Sequence, residues 1–513
     1  MLIGYLGAIL YMGFHFSKKN TNTEEYFVGG RSFPGWMIGL SLVGTSISSI
    51  TFLAFPGDAY KTAWLRFLPN LMMPVAVLIA AYVFLPFFRR GNLTSAYEYL
   101  EGRFGPSVRV YGAVAFIITQ LIRLSLILYL ISLLLHELIG VSPLWSILIA
   151  GGFVAIYTVM GGIDAVIWTD VMQTLVLLLG GIITLIVIVT HLPGGLGQIF
   201  SVAIADSKLS FADLVDGRLQ PSPVGFSFQQ KTISMMLLIG LFNFLTEYSG
   251  NQNTIQRYVA SKSAKEARKG MLVGILTSIP IWTFYMFLGT ALYVFFKVYP
   301  TTESVEILEG ARKAEQIFPY FIIHYLPPGV TGFVIAAALA AAMSSLDSSI
   351  NAVSTVGIVD IYRRHFVKNH TDRHYLLVAW IFAGVAAIFM IVGAILLANT
   401  EAKTFQDTAT TLASLAGGGL LGMFMLGFFT KKGDSRAVFF GIVSTLLFTL
   451  WTILAKKGLL ADALSVPFDL YYTGVVGNFV MFIVGYVAAL AFPGKKKDLT
   501  NLTVWTQDGT PLD

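Results

Sequence analysis

The sequence predicts an all-α integral membrane protein with about thirteen transmembrane helices, and three observations carry that expectation. The 513 residues are 56% hydrophobic and only 12% charged, with a mean hydropathy of +0.73, well outside the composition of ordinary soluble domains. The apolar residues fall in long runs near or above the length that crosses a bilayer. The basic residues gather in alternate gaps between those runs, as the positive-inside rule requires of cytoplasmic loops.

The first run, 2–16, has the length of a signal peptide, but its charges, Lys18 and Lys19, follow the apolar stretch instead of preceding it. It reads as a short first span with its N-terminus outside. Further spans are expected at 35–57, 62–88, 109–139, 143–162, 165–190, 232–250, 271–298, 328–361, 374–398, 405–429, 437–454 and 470–492. Alternation then places most of the 34 basic residues inside, among them Arg89, Arg90, Arg257, Lys262, Arg363, Arg364 and the lysine run 495–497. It leaves Arg66 and Arg123 within spans. An odd number of spans puts the C-terminus in the cytoplasm, so the protein is expected in the cell membrane.

Two external gaps are long. Residues 191–231, rich in Gly, Pro, Asp and Ser, read as a surface loop, and 299–327 carries the apolar spacing of an amphipathic helix. The formal charge of +6 is a topology signal, not a nucleic-acid surface. The absence of cysteine excludes disulfides, thiol catalysis and thiolate metal sites. The seven histidines are scattered, and there is no P-loop, GxGxxG or GxSxG, so nothing marks an enzyme. Oligomeric state is not readable.

The apolar runs are interrupted by hydroxyls at few places. In AAALAAAMSSLDSS, 336–349, alanines that permit close helix approach give way to Ser344, Ser345, Ser348, Ser349 and Asp347. Ala341, Ser344, Ser345 and Ser348 share one helical face, which suits either helix–helix hydrogen bonding or a small hard cation such as sodium. GTSISSIT, 44–51, breaks an earlier run with a glycine and hydroxyls, the composition of a discontinuous helix whose freed carbonyls can hold an ion. Asp170, heading a long apolar run, is a functional-site candidate by default or else an interfacial helix-end residue. A second interruption, TEYSGNQN at 246–253, lies five spans after the first. That spacing fits an inverted repeat of five plus five helices.

Several of these stretches, in order, carry a resemblance: YFVGGRSFPGW, LTSAYEYLEGRFG, GGIDAVIWTDVMQ, NQNTIQRYVASKS and AAAMSSLDSS resemble the sodium:solute symporter family. The resemblance implies a leucine-transporter-type 5+5 inverted-repeat fold, with 1–34 as an extra helix and linker, 35–430 as the transport core and 431–513 as two C-terminal helices and a tail. It implies sodium (Na+) as the coupling ion. The shared sodium site maps onto Gly44, Ile47, Ala341, Ser344 and Ser345, and a second site, found in some members, onto Asp170, Ser345 and Ser348.

Arg123 lies mid-span, where a charge costs at least ~2.5 kcal/mol unless it faces a cavity or a partner. Its partner could be a substrate anion, or structurally Asp170 or Glu247. The Gln120–Arg123 spacing in QLIRLSLILYL is similar to that of the family's sialic acid transporters, where such an arginine binds the substrate carboxylate. The preceding span, 62–88, carries Arg66 and Asn70, expected on one face at i and i+4, and no acidic residue of the kind that sugar-transporting members use. Ser46, Ser48 and Thr51 join Arg123, Arg66 and Asn70 as candidate substrate contacts. The sequence thus points to sodium-coupled import of a small organic solute, first an acidic sugar such as sialic acid. A neutral sugar or polyol, a monocarboxylate, or a sodium-permeable channel are the alternatives.

Overall fold

The computed structural model describes residues 2–91, 93–215, 217–399, 419–461, 464–494, 497–509 and 512. Among them the chain is helical nearly throughout, as a bilayer demands when every backbone polar group must find an internal partner. The helices are α1 (Leu2–Ser17), α2 (Thr23–Val28), α3 (Gly35–Ser46), α4 (Ile50–Lys61), α5 (Trp64–Arg90), α6 (Ala96–Phe104), α7 (Pro106–Ile139) and α8 (Pro143–His191). They continue with α9 (Gly195–Ala205), α10 (Ile233–Gly250), α11 (Gln252–Val259), α12 (Ala264–Val298), α13 (Thr302–Glu309), α14 (Ile317–Tyr325) and α15 (Val330–Phe366). The last four are α16 (Asp372–Ala398), α17 (Leu420–Phe429), α18 (Ser435–Lys456) and α19 (Thr473–Ala491). Nine of the described helices are individually long and apolar enough to cross a membrane, and α3 with α4 makes a tenth as a bent pair. The expected span 405–429 lies outside the described residues up to 418, and α17 is its described remainder.

The 49 residues of α8 would reach about 73 Å as one straight helix, far beyond the ~30 Å hydrocarbon layer. Gly162 divides them. Its φ of 58° and ψ of −161° belong to glycine, and the break falls between the two spans expected from sequence.

At the first polar interruption α3 and α4 bend by 64°. Ile47 takes extended angles (φ −96°, ψ 118°), and the Ser48 hydroxyl accepts the Ile50 N–H at 3.2 Å, a local bond that competes with helix continuation. At the second, Asn251 (φ −87°, ψ 113°) separates α10 from α11. Its Oδ1 accepts the Asn253 N–H at 3.0 Å, and its Nδ2 donates to Glu247 at 2.7 Å.

Two loop expectations are corrected. Residues 191–231 are not a plain loop: they fold into α9, which buries Ile199 and Ala203, and a hairpin of β1 (Ala212–Val215) and β2 (Arg218–Pro221). Residues 299–327 form two short helices, α13 and α14, instead of one, with a turn after Gly310 in the left-handed region (φ 90°). The α14 helix inserts Ile317, Phe318, Phe321 and Ile322 into the core.

The folded segment 191–231 is tied to the core by a buried lysine. Lys208 Nζ donates to the carbonyls of Tyr60 at 2.7 Å and Thr62 at 2.9 Å, where α4 ends, and lies 4.1 Å from the Tyr293 ring centroid. Burial pushes its ammonium down to about 7, with Asp206 opposing. An unfolded lysine titrates near 10.4, so between the two values the unfolded chain binds more protons and stability rises with pH. The melting temperature is expected to climb from pH 7 to pH 9 more steeply in the wild type than in Lys208→Met, read by thermal unfolding in detergent.

Candidate ion and substrate site

The site forms where α3, α8, α11 and α15 meet. The last helical bond of α3 closes from Ile47 N to Val43 O at 2.8 Å, so the carbonyls at its end, Gly44 and Ile47 among them, lack partners in their own helix. The α15 helix packs against α3 and buries Ala341, Ser344, Ser345 and Ser348. Ser344 Oγ donates to Ala341 O at 3.1 Å, and Ser348 Oγ to Ser344 O at 2.6 Å. Ser345 Oγ is buried without a hydrogen-bond partner among the described residues. Two of the expected ligand groups are thus turned back onto their own helix, and one is left open.

Asp170 is not an interfacial helix-end residue. It is 0% exposed, within the second segment of α8. Its Oδ2 accepts from Ser41 Oγ at 2.5 Å and from Arg257 Nη2 at 2.8 Å, while its Oδ1 has no partner among the described residues. Arg257 corrects the topology count, which had placed it in a cytoplasmic gap. It lies on α11, 0% exposed, with Nε on Ser41 Oγ at 2.8 Å, Nη1 on Asn253 O at 2.7 Å and Nη2 also on Ser348 Oγ at 2.5 Å. One guanidinium therefore ties together Asp170 and Ser348, both expected around the second ion.

Gly44 lies against this group. A Cβ added there would stand 3.0 Å from Asp170 Oδ1 and 3.1 Å from its Cγ, closer than packed atoms sit without displacement. Gly44→Ala is expected to lower both thermal stability and apparent sodium affinity, measured by unfolding with and without sodium. Wild-type stability both with and without sodium would show that α3 has room to move.

On the substrate side, Gln120 of α7 is buried, and its Oε1 accepts from Ser349 Oγ at 2.9 Å and Asn253 Nδ2 at 3.2 Å. It joins α7 to the second broken helix and to the serine helix. Arg123 lies one turn on, half-buried, with no ion pair among the described residues. The structural partners considered for it are taken: Asp170 by Arg257, and Glu247 by Asn251 and by Thr254 at 2.5 Å. Arg66 is engaged, pairing with Asp58 at 2.5 Å. The one-face expectation for Arg66 and Asn70 is corrected, because Trp64–Met72 is a 3₁₀ helix with Pro69 inside it. There i and i+3 eclipse, not i and i+4. Asn70 Nδ2 donates to Phe67 O at 3.3 Å. Ser48 and Thr51 are buried and Ser46 half-buried at the helix break.

The sequence profile described as the Sodium:solute symporter family matches residues 26–444. This chain belongs to that family. The symporter is 33% identical to the sodium/sialic acid symporter SiaT of Proteus mirabilis over 503 residues, 97% of this chain and 96% of the relative. It is 31% identical to the sodium/sialic acid symporter NanT of Aliivibrio fischeri over 494 residues, 96% and 92% of the two chains. Its fold matches the substrate-bound, outward-open structure of a Na+-coupled sialic acid symporter with a TM-score of 0.85 and 30% identity, covering 96% of this chain and 98% of that one.

Proposed function

We propose that this symporter imports an acidic sugar of the sialic acid class, driven by sodium, with Arg123 holding the substrate carboxylate. The observation that carries the substrate reading is Arg123 itself, a half-buried guanidinium without a carboxylate partner among the described residues, one turn from Gln120 at the crossing of α7, α11 and α15. The two sialic acid relatives support it. Ser46, Ser48 and Thr51 line the break in α3–α4 as further contacts and Asn70 joins them as a candidate, while Arg66 is already paired with Asp58.

The first sodium takes carbonyls of Gly44, Ile47 and Ala341 and hydroxyls of Ser344 and Ser345. A second takes Asp170, Ser345 and Ser348. Sodium pins the bent α3–α4 pair to α15 and completes the substrate pocket, and by linkage the substrate tightens sodium by the same factor. A potential of 100 mV supplies ~2.3 kcal/mol per charge moved, so two sodium ions with one monoanion remain electrogenic. Rocking of one helix bundle against the other then opens the pocket inward. The cycle is binding and conformational change, without covalent chemistry.

The same proposal extends to architecture: thirteen spans in the cell membrane, the N-terminus outside and the C-terminus in the cytoplasm. Residues 35–430 form a five-plus-five inverted repeat between an N-terminal segment, 1–34, and a C-terminal one, 431–513. The two broken elements, α3–α4 and α10–α11, support the repeat.

Thermal unfolding of the purified protein against sialic acid, neutral sugars and monocarboxylates, with and without sodium, tests the substrate. A ligand at a hundredfold its Kd stabilises the native state by about 2.7 kcal/mol. A sodium-dependent rise in melting temperature with sialic acid is expected. A rise with a neutral sugar or a simple monocarboxylate instead would overturn the assignment.

A further inference from the structure

The last four carbonyls of a helix find no N–H within it, and at the end of α17 other parts of the chain supply the donors. Leu426 O accepts from Thr430 Oγ1 at 2.6 Å and Gly427 O from Arg103 Nε at 3.4 Å. Phe428 O accepts from Val504 N at 2.9 Å and Phe429 O from Trp505 Nε1 at 2.7 Å. Arg103, buried on α6, also donates to the carbonyls of Thr430 at 2.9 Å, Lys432 at 2.8 Å and Gly433 at 3.0 Å. The segment 497–509 is held to α6 by the Tyr99 hydroxyl, which donates to Leu502 O at 2.8 Å. It closes on itself through Asn501 N to Thr506 O at 2.9 Å. The loop 430–433 and the Trp505 indole are therefore held in place ahead of any ligand, which lowers the cost of binding one.

Between them lies a groove of about 410 Å³, lined by Phe429, Lys431, Lys432, Phe482, Tyr486 and Trp505. Trp505 is 63% and Tyr486 37% exposed, and exposed indoles and phenols collect at the membrane–water boundary. The lysine run 495–497 follows directly on α19, which places the groove at that boundary. Lys431 and Lys432 are exposed and make no ion pair among the described residues, and the neighbouring acid, Asp434, is paired with Arg436 at 2.9 Å. The groove thus offers two uncompensated positive charges. Beside them stands an apolar wall, Phe482, which continues into the exposed Phe479 one turn earlier on α19. A soluble anion would use the lysines alone, whereas a phospholipid uses the lysines, the aromatic rim and the apolar wall together.

We infer that this groove binds an anionic phospholipid, with the phosphate at Lys431 and Lys432 and the start of an acyl chain against Phe482 and Trp505. On the topology proposed above the lipid belongs to the cytoplasmic leaflet, whose anionic lipids attract basic segments. The site is separate from the ion and substrate positions, and the inference does not depend on the sodium-symport reading.

The test is thermal unfolding of the delipidated full chain in detergent, without sodium or sugar. It is titrated in turn with phosphatidylglycerol, phosphatidylcholine and inorganic phosphate. Phosphatidylglycerol should raise the melting temperature saturably, and the other two should leave it unchanged. Lys431→Gln/Lys432→Gln should weaken phosphatidylglycerol about thirtyfold, roughly fivefold for each lysine. Lys456→Gln/Lys457→Gln, at the end of α18 away from the groove, removes the same charge and should keep wild-type affinity. Trp505→Ala should also weaken the lipid, and it decides the matter where the lysine variant does not fold. Equal stabilisation by phosphatidylcholine would overturn the inference, and so would equal stabilisation by phosphate, which would mark a soluble-anion site. Wild-type lipid affinity in the Lys431/Lys432 variant, or an equal loss in the Lys456/Lys457 variant, would overturn it as well.

Discussion

Replacing Ser344 and Ser345 together with alanine should nearly abolish sodium-driven uptake while leaving expression and sodium-free thermal stability close to wild type. The substitution removes two hydroxyls from a helix face already rich in alanine, where Ala336–Ala338 and Ala340–Ala342 pack without strain. Among the described residues one hydroxyl, Ser344 Oγ, is bonded only to Ala341 O of its own helix, and the other has no partner. Neither holds α15 to a neighbour, so their loss costs little packing, and alanine is the better helix former. The expected loss falls on the proposed sodium site, which would give up two oxygen ligands. Each tenfold fall in sodium affinity corresponds to about 1.4 kcal/mol, and the double variant is expected to lose at least a hundredfold, read as the half-saturating sodium concentration for uptake. Wild-type sodium dependence in this variant would return the serines to a role in helix–helix contact.

The serine face, the two helix breaks and Asp170 were legible in the sequence because each is a polar exception inside an apolar run, and bilayer physics leaves few reasons for such exceptions. Arg257 was not legible by the same means. It follows the break at Asn251, and counting charges between apolar runs assigns any such arginine to a loop. The signal that could have found it is spacing: Asn253, Gln256 and Arg257 fall at i, i+3 and i+4, one polar face of a short helix, and all three are buried. Asp347 stood in plain view among the serines, but its partners, Tyr157 and Thr169 of α8, are distant in sequence and no spacing announces them. Gly and Pro around 191–231 concealed α9, whose apolar Ile199 and Ala203 pack inward. Arg66 and Asn70 were placed on one face by α-helical spacing that Pro69, lacking an N–H, does not sustain.

Arg123 decides the substrate class. Its guanidinium presents a fixed fork of donors that matches a carboxylate bidentately, whereas lysine offers a compact ammonium. Arg123→Lys should therefore weaken sialic acid binding, and Arg123→Ala should weaken it at least as much. A hydrogen bond to a charged group contributes roughly 1.5–3 kcal/mol, which corresponds to about tenfold to a hundredfold or more in Kd. The methyl ester of the substrate should lose similar affinity for the wild type and little further for the alanine variant, because the contact it removes is already gone. Sodium-induced stabilisation should persist in both variants, since neither ion position includes this side chain. The structure also separates this from a structural role: Asp170 and Glu247 have other partners, so alanine at 123 leaves no buried carboxylate unpaired and should not lower the melting temperature of the substrate-free protein. Isothermal titration with the acid and its ester, on wild type and variants, checks the binding expectations, and thermal unfolding with and without sodium checks the two on stability. Full affinity for the acid in a folded Arg123→Ala protein would remove the carboxylate contact and move the substrate to a neutral sugar or polyol.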